Sequence, residues 1–181
     1  MRKSALKLRK IKYTDISSDW VSWINDKVVT KYSGKSFKRH TIKSQKIFLK
    51  DKLKNKSSLL FGIFFSDEHI GNIELANISQ IHKHCEIRYL IGKKDYWNKG
   101  IGAKSINKAL NVAFNKLKLK KIYAFTYSNN LASQKVLKKN GFNIEGKMDN
   151  FFRYKNRRVK KIIFGLNKVN FKNFENKKTK N

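Results

Sequence analysis

The sequence contains one cysteine, no proline and only 12 acidic residues among 181. Cys85 alone excludes an internal disulfide and fits a reducing compartment. The strongest apolar run, Leu59–Phe65, is seven residues long, far too short to span a bilayer. Met1-Arg2-Lys3-Ser4-Ala5 leads into no hydrophobic segment, so no secretory signal is expected and a cytoplasmic location is. His82, His84 and Cys85 lie close together, but no second ligand cluster accompanies them, so no metal site is expected.

The shortage of acids leaves a net charge of +31, which invites a nucleic-acid or membrane reading. Seven of the 43 basic residues are Arg and the other 36 are Lys, in a chain also crowded with Asn and Ile. That mixture reads as a residue-usage bias spread over the whole surface. It lacks the guanidinium fork suited to phosphates and base edges. Such a field still favours anionic substrates.

The length fits one domain, and no internal repeat divides it. Residues 6–11 alternate and predict a first strand. Thr14-Asp15 offers a cap for a helix over 16–25, with Trp20, Trp23 and Ile24 on one side. A second helix is expected over 42–53, through Ile47, Phe48 and Leu53. A hairpin follows, with Leu59–Phe65, a Ser66-Asp67-Glu68 turn and a strand over 70–75. Residues 77–83 read as a loop and 86–91 as a buried strand.

Next comes Tyr96-Trp97-Asn98-Lys99-Gly100-Ile101-Gly102-Ala103. It leads into a helix whose apolar face is Ala103, Ile106, Leu110, Ala113 and Leu117. Glycines at such a turn let backbone N–H groups approach a ligand, and the helix's first-turn amides make a site for an anion such as a pyrophosphate. The strand 121–127, a short helix over 131–139 stopped by Asn140-Gly141, and strands near 142–145, 148–154 and 159–166 complete the chain. Residues from about 167 on are Lys- and Asn-rich and read as a frayed tail.

This order resembles the GNAT superfamily of acetyl-CoA-dependent N-acetyltransferases over about residues 5–167. Residues 97–103 look like its pyrophosphate loop, with Asn98 in place of the first glycine. Asn130-Leu131-Ala132-Ser133 followed by Lys139-Asn140-Gly141-Phe142 looks like its second signature. The Trp20-to-Tyr32 stretch resembles branches acting on ribosomal-protein N-termini, polyamines and nucleotide-linked amino sugars. The resemblance implies an α+β (α/β/α) fold. Its sheet would be mixed, mostly antiparallel and six- to seven-stranded, with a splayed strand pair. A single domain over 1–168 and a basic flexible tail over 169–181 are expected.

Acetyl-CoA is then the implied co-substrate, with no metal. It would be held by Asn98, Lys99, Gly100, Ile101, Gly102, Ala103 and Asn130. Backbone groups at Leu90 and Ile91 would polarise its carbonyl. The amine needs a base, for which Glu86 comes first and Glu74 second; a structural ion pair of Glu86 with Arg88 is the competing assignment, and positioning alone is another. Leu137 stands where many relatives keep an acidic Tyr. Ser133 is the nearest alternative proton donor to the leaving sulfur, or else a cap with Asn130 of the short helix; Tyr127 and Tyr154 are further candidates.

The expected acceptor is a small amine, with a nucleotide-linked amino sugar favoured by the look of residues 70–75 and 89–94 and by the positive surface. A ribosomal-protein N-terminus or a polyamine is the alternative. A different class of reading is a non-catalytic nucleic-acid-binding protein using the basic stretch 168–180. A homodimer is also expected, on the strength of the aromatic residues.

Overall fold

A computed structural model describes residues 5–178. Seven strands form one sheet: β1 Leu6–Lys10, β2 Leu59–Phe65, β3 Glu68–Ser79, β4 His84–Ile91, β5 Lys121–Tyr127, β6 Asn143–Tyr154 and β7 Arg157–Asn167. Their order is β1-β2-β3-β4-β5-β7-β6, antiparallel throughout except for the parallel pair β4–β5. The helices are α1 Ser18–Asn25, α2 Ile42–Lys54, α3 Ile101–Asn111, α4 Leu131–Lys138 and α5 Lys168–Lys178.

Two cores lie on opposite faces of the sheet. The larger joins Ile73, Ile87, Ile122 and Phe164 to Ile106, Leu110 and Phe114 of the long helical segment, Leu137 of α4 and Phe171 of α5. The smaller collects Trp20, Trp23, Ile24, Val29 and Leu49 of the α1–α2 layer over Leu60 and Leu90. The sheet is therefore sandwiched at its centre, as expected from the GNAT resemblance.

Several boundaries differ from the sequence expectations, each for a local reason. Asp15 does not cap α1: its carboxylate takes both guanidinium nitrogens of Arg9, at 2.6 and 2.7 Å, and the Lys12 amide, closing a 3₁₀ turn over Tyr13–Asp15. Ser17 caps α1 by accepting from the Trp20 amide at 3.2 Å. In α2, Gln45 and Leu49 are buried, while Ile47 and Leu53 are both 55% exposed. The α-helical ladder of α3 ends at Asn111, and a π turn over Val112–Lys116 carries the apolar face on. Strand β3 runs on to Ser79 through the positive φ of Asn77.

The basic end folds as α5 as far as Lys178. Phe171 is buried, its ring 5.2 Å from that of Phe114, which anchors the polar helix to the larger core. The last three residues of the expected tail lie outside the described residues. Among the described residues, no helix is long and apolar enough to cross a membrane.

Candidate active site

The turn between β4 and α3 is built by two left-handed residues, Asn98 (φ 59°) and Gly100 (φ 72°). Asn carries the first because its short side chain tolerates that conformation, and Gly the second because it has no Cβ. A Cβ placed on Gly100 would meet nothing within 4 Å, so the turn opens onto free space. Among the described residues, no backbone carbonyl accepts from the amides of Gly100 to Ala103; the first such bond runs from Lys104 N to Gly100 O, at 3.1 Å. These amides and the positive end of the α3 dipole converge on that space. Exposed Lys99 stands beside it. The turn suits a diphosphate.

Trp97 ties the turn to the sheet by donating its indole N–H to Ile91 O at 2.9 Å. Here β4 has parted from β5. Their ladder covers only His84–Glu86 against Lys121–Tyr123, and beyond it β5 continues beside β7 to Tyr127. Gly71 of β3 lets Leu90 come close, since a Cβ there would lie 2.3 Å from Leu90 O. Gly92 N donates to Ile70 O of β3 at 2.8 Å. By strand alternation Leu90 also turns its peptide groups toward β3, while Tyr89 and Ile91 turn theirs into the gap.

Glu86 occupies the fork of the gap, opposite Tyr123 in the last paired register. It is 6% exposed and takes Arg88 through two bonds of 2.6 and 2.7 Å, with a third bond from Asn77 Nδ2 at 3.1 Å. Glu74 lies across from Arg88 in β3 but is held by Lys52 of α2 and by Ser58, both at 2.6 Å. Glu86 faces the fork; Glu74 fastens α2 to the sheet.

On the other face of β4, the Tyr89 hydroxyl donates to Ser133 Oγ at 3.1 Å. Burial pushes the Tyr89 phenol up to about 12, against the opposing effect of Ser133, so it stays protonated near neutrality. Asn130 caps α4, its Oδ1 accepting from the Ser133 amide at 3.2 Å and leaving the Ser133 hydroxyl to the tyrosine. Leu137 is 1% exposed and belongs to the core. A Cβ on Gly102 would lie 3.6 Å from Tyr89, 3.9 Å from Ile91 and 4.0 Å from Val136, so α3 passes close over the same spot.

Beyond the fork, the Glu86 face of β5, β7 and β6 carries an aromatic wall. Tyr123 and Phe125 lie 5.3 Å apart, and Tyr127 stacks on Phe152 at 4.1 Å. Tyr32, from the loop after α1, stacks on Tyr154 at 5.3 Å and donates to Asn129 O at 2.9 Å, which closes one side. Burial raises the Tyr127 phenol above its ordinary value. Tyr127 and Tyr154 are thus wall residues, bound to neighbouring rings.

Residues 5–143 match the family model described as an acetyltransferase (GNAT) domain. The chain belongs to the GNAT family. YoaA, an N-acetyltransferase of Bacillus subtilis (strain 168), is 34% identical over 93 residues, 50% of this chain and 52% of that protein. The spermidine N(1)-acetyltransferase of Escherichia coli (strain K12) is 29% identical over 99 residues, 54% of this chain and 53% of that protein. The chain spans about half the length of the curated relatives it matches. In fold it is similar to spermidine N-acetyltransferase from Vibrio cholerae, solved in complex with CoA and spermine. The TM-score is 0.82 at 21% identity, over 92% of this chain and 97% of that one.

Within this GNAT frame the sequence-named residues fall into two groups. Residues 98–103 form the turn, with Leu90 and Ile91 at its foot; Ser133 and Asn130 lie at the start of α4. Glu86 stands on the opposite face of β4. Sequence reading missed Tyr89, seen only as a strand residue, and the wall as a unit. The wall's signal is present in the aromatics at 123, 125 and 127, whose period of two places them on one face of a strand. Among the described residues, no three His, Cys, Asp or Glu gather as metal ligands, and His82 and His84 stack on each other at 5.9 Å.

Proposed function

We propose that this GNAT domain transfers the acetyl group of acetyl-CoA to a primary amine of a polyamine. The observation that carries the acceptor is the wall of Tyr123, Phe125, Tyr127, Phe152 and Tyr154, which starts at the Glu86 carboxylate. Aromatic faces hold alkylammonium groups by their quadrupole, a device that needs no acidic surface and works within a basic protein. The sequence reading put a nucleotide-linked amino sugar first, for the look of residues 70–75 and 89–94 and because net positive charge repels a polyamine. That preference gives way, because two of the three proteins named above, those of Escherichia coli and Vibrio cholerae, carry a polyamine in their names, and recognition here rests on local rings rather than on net charge.

Acetyl-CoA supplies the activated acyl group. The open Gly100 turn and its free amides fit its diphosphate. The Ile91 amide, turned into the gap, offers a hydrogen bond to the thioester carbonyl. Glu86 takes a proton from the incoming ammonium through water, with Arg88 fixing its orientation. Ser133 gives its proton to the departing sulfur and takes one from Tyr89, which regains its proton from solvent through Ser133 once CoA has left.

The test is a free-thiol release assay with acetyl-CoA and a panel of spermidine, spermine, a nucleotide-linked amino sugar and a peptide with a free N-terminus. Polyamines are expected to give the highest kcat/KM. Preferred turnover of the sugar or the peptide would overturn the acceptor assignment.

A further inference from the structure

Lys161 of β7 stands opposite Tyr127 of β5 and Met148 of β6, within the aromatic wall. Its ammonium nitrogen lies 3.6 Å from the centre of the Phe125 ring and 4.4 Å from that of Phe151. The adjacent Lys160 pairs with Asp149 at 2.7 Å, but among the described residues Lys161 meets no carboxylate. It is held by ring faces.

Two ring faces without an anion form a receptor for an alkylammonium, and a lysine side chain is one: a primary ammonium on a four-carbon polymethylene stem. Phe125 lies one strand repeat, roughly 7 Å, beyond Tyr123 on the face that begins at Glu86. A polyamine whose reacting nitrogen stands at the fork would therefore run its remaining ammonium groups toward this cage.

We propose that Phe125 and Phe151 form an alkylammonium-binding site in the acceptor groove, occupied in the free protein by Lys161. The lysine acts as a tethered competitor. A long acceptor must displace it to seat a distal ammonium, whereas a short diamine never reaches it. Lys161 is then a specificity residue that sets a length preference. This inference rests on the polyamine reading.

The experiment is calorimetric titration of spermine and of 1,3-diaminopropane into the CoA-saturated full chain, alongside acetylation kinetics with both amines. The variants are Lys161→Met, Lys161→Arg and Lys147→Met; the last removes an equal charge from the same hairpin. Lys161→Met is expected to bind spermine roughly tenfold more tightly, the value of one half-buried cation–ring contact. Diaminopropane affinity should stay unchanged, as should spermine affinity in the other two variants. Adding Phe151→Leu to Lys161→Met should erase the gain, and Lys161→Gln repeats the test if the Met variant folds poorly.

An unchanged spermine affinity in Lys161→Met would overturn the proposal. So would an equal gain in Lys147→Met, which marks bulk charge, or an equal gain for diaminopropane. If the wild type acetylates no polyamine while Lys161→Met gains spermine affinity, the acceptor assignment fails and the cage stands. If the wild type acetylates spermine and Lys161→Met gains nothing, the cage alone falls.

Discussion

Tyr89 donates its phenolic hydrogen to Ser133 Oγ across 3.1 Å, joining the splayed end of β4 to the first turn of α4. In the proposed mechanism, removing the Tyr89 hydroxyl leaves the ring in place and interrupts resupply to Ser133. Tyr89→Phe is expected to lower kcat about tenfold and Ser133→Ala about a hundredfold, within the usual span for proton transfer to a leaving group. Because the two act in series, the double variant should be no slower than Ser133→Ala. Steady-state kinetics at saturating acetyl-CoA, with KM for both substrates, check this. A merely structural bond would move stability and leave kcat alone.

Glu86 and Glu74 are both buried carboxylates bound to a cation, and their neighbours predict opposite phenotypes. Glu86→Gln is expected to cut kcat/KM about a hundredfold. Glu74→Gln should leave kcat within about twofold. Its cost falls on stability, about 2 kcal/mol, because Lys52 and Ser58 lose a charged partner at a site shielded by α2. Chemical denaturation of both variants, read beside their kinetics, separates the two roles.

At the α3 turn, Gly100→Ala puts a Cβ on a residue at φ 72°, with open space around it. The expected cost is backbone strain of about 1 kcal/mol, with no clash. The amides proposed to hold the CoA diphosphate tilt with the strain, so the Kd for CoA should rise about tenfold. Asn98→Gly should be neutral, because glycine accepts the φ of 59° without strain. Calorimetry with CoA at moderate salt measures both, and inorganic polyphosphate serves as the control for attraction of any polyanion to a +31 chain.

Much of this architecture was legible in local pattern. The continuous apolar run 59–65 and the β-branched and aromatic stretch 121–127 mark β2 and β5 at their observed ends. Asn98 was readable as a glycine substitute because its tolerance of left-handed backbone is an intrinsic property. Helix α5 was not legible: its Lys- and Asn-rich sequence lacks an apolar stripe, and its anchor Phe171 meets a ring from the far end of the α3 segment. The contacts that build the site are nonlocal. Tyr89 and Ser133 are 44 residues apart, Tyr32 and Asn129 are 97, and no spacing rule links them. Arg88 was readable as a partner for Glu86, because two residues apart on one strand share a face.

His69 carries the pH dependence of stability. Its ring is stacked on Phe64 at 4.8 Å and met edge-on by Trp20 and Trp23 at 5.4 and 4.9 Å. Burial among these rings holds its folded-state pKa below the ordinary 6.5, so the folded protein keeps it neutral where the unfolded chain protonates it. The sign follows by linkage: the contribution is complete above pH 6.5 and is lost as pH falls through 6.5 toward the depressed folded value. Asp26 and Glu68, held below the usual carboxylate range by Lys94 and Lys93, lose their contributions only at lower pH. Between pH 7.5 and 5.5 the urea midpoint of the wild type should therefore fall, while that of His69→Gln, lower at the start because ring contacts are lost, should change much less. Parallel slopes for the two proteins would show that protons taken up elsewhere govern this window.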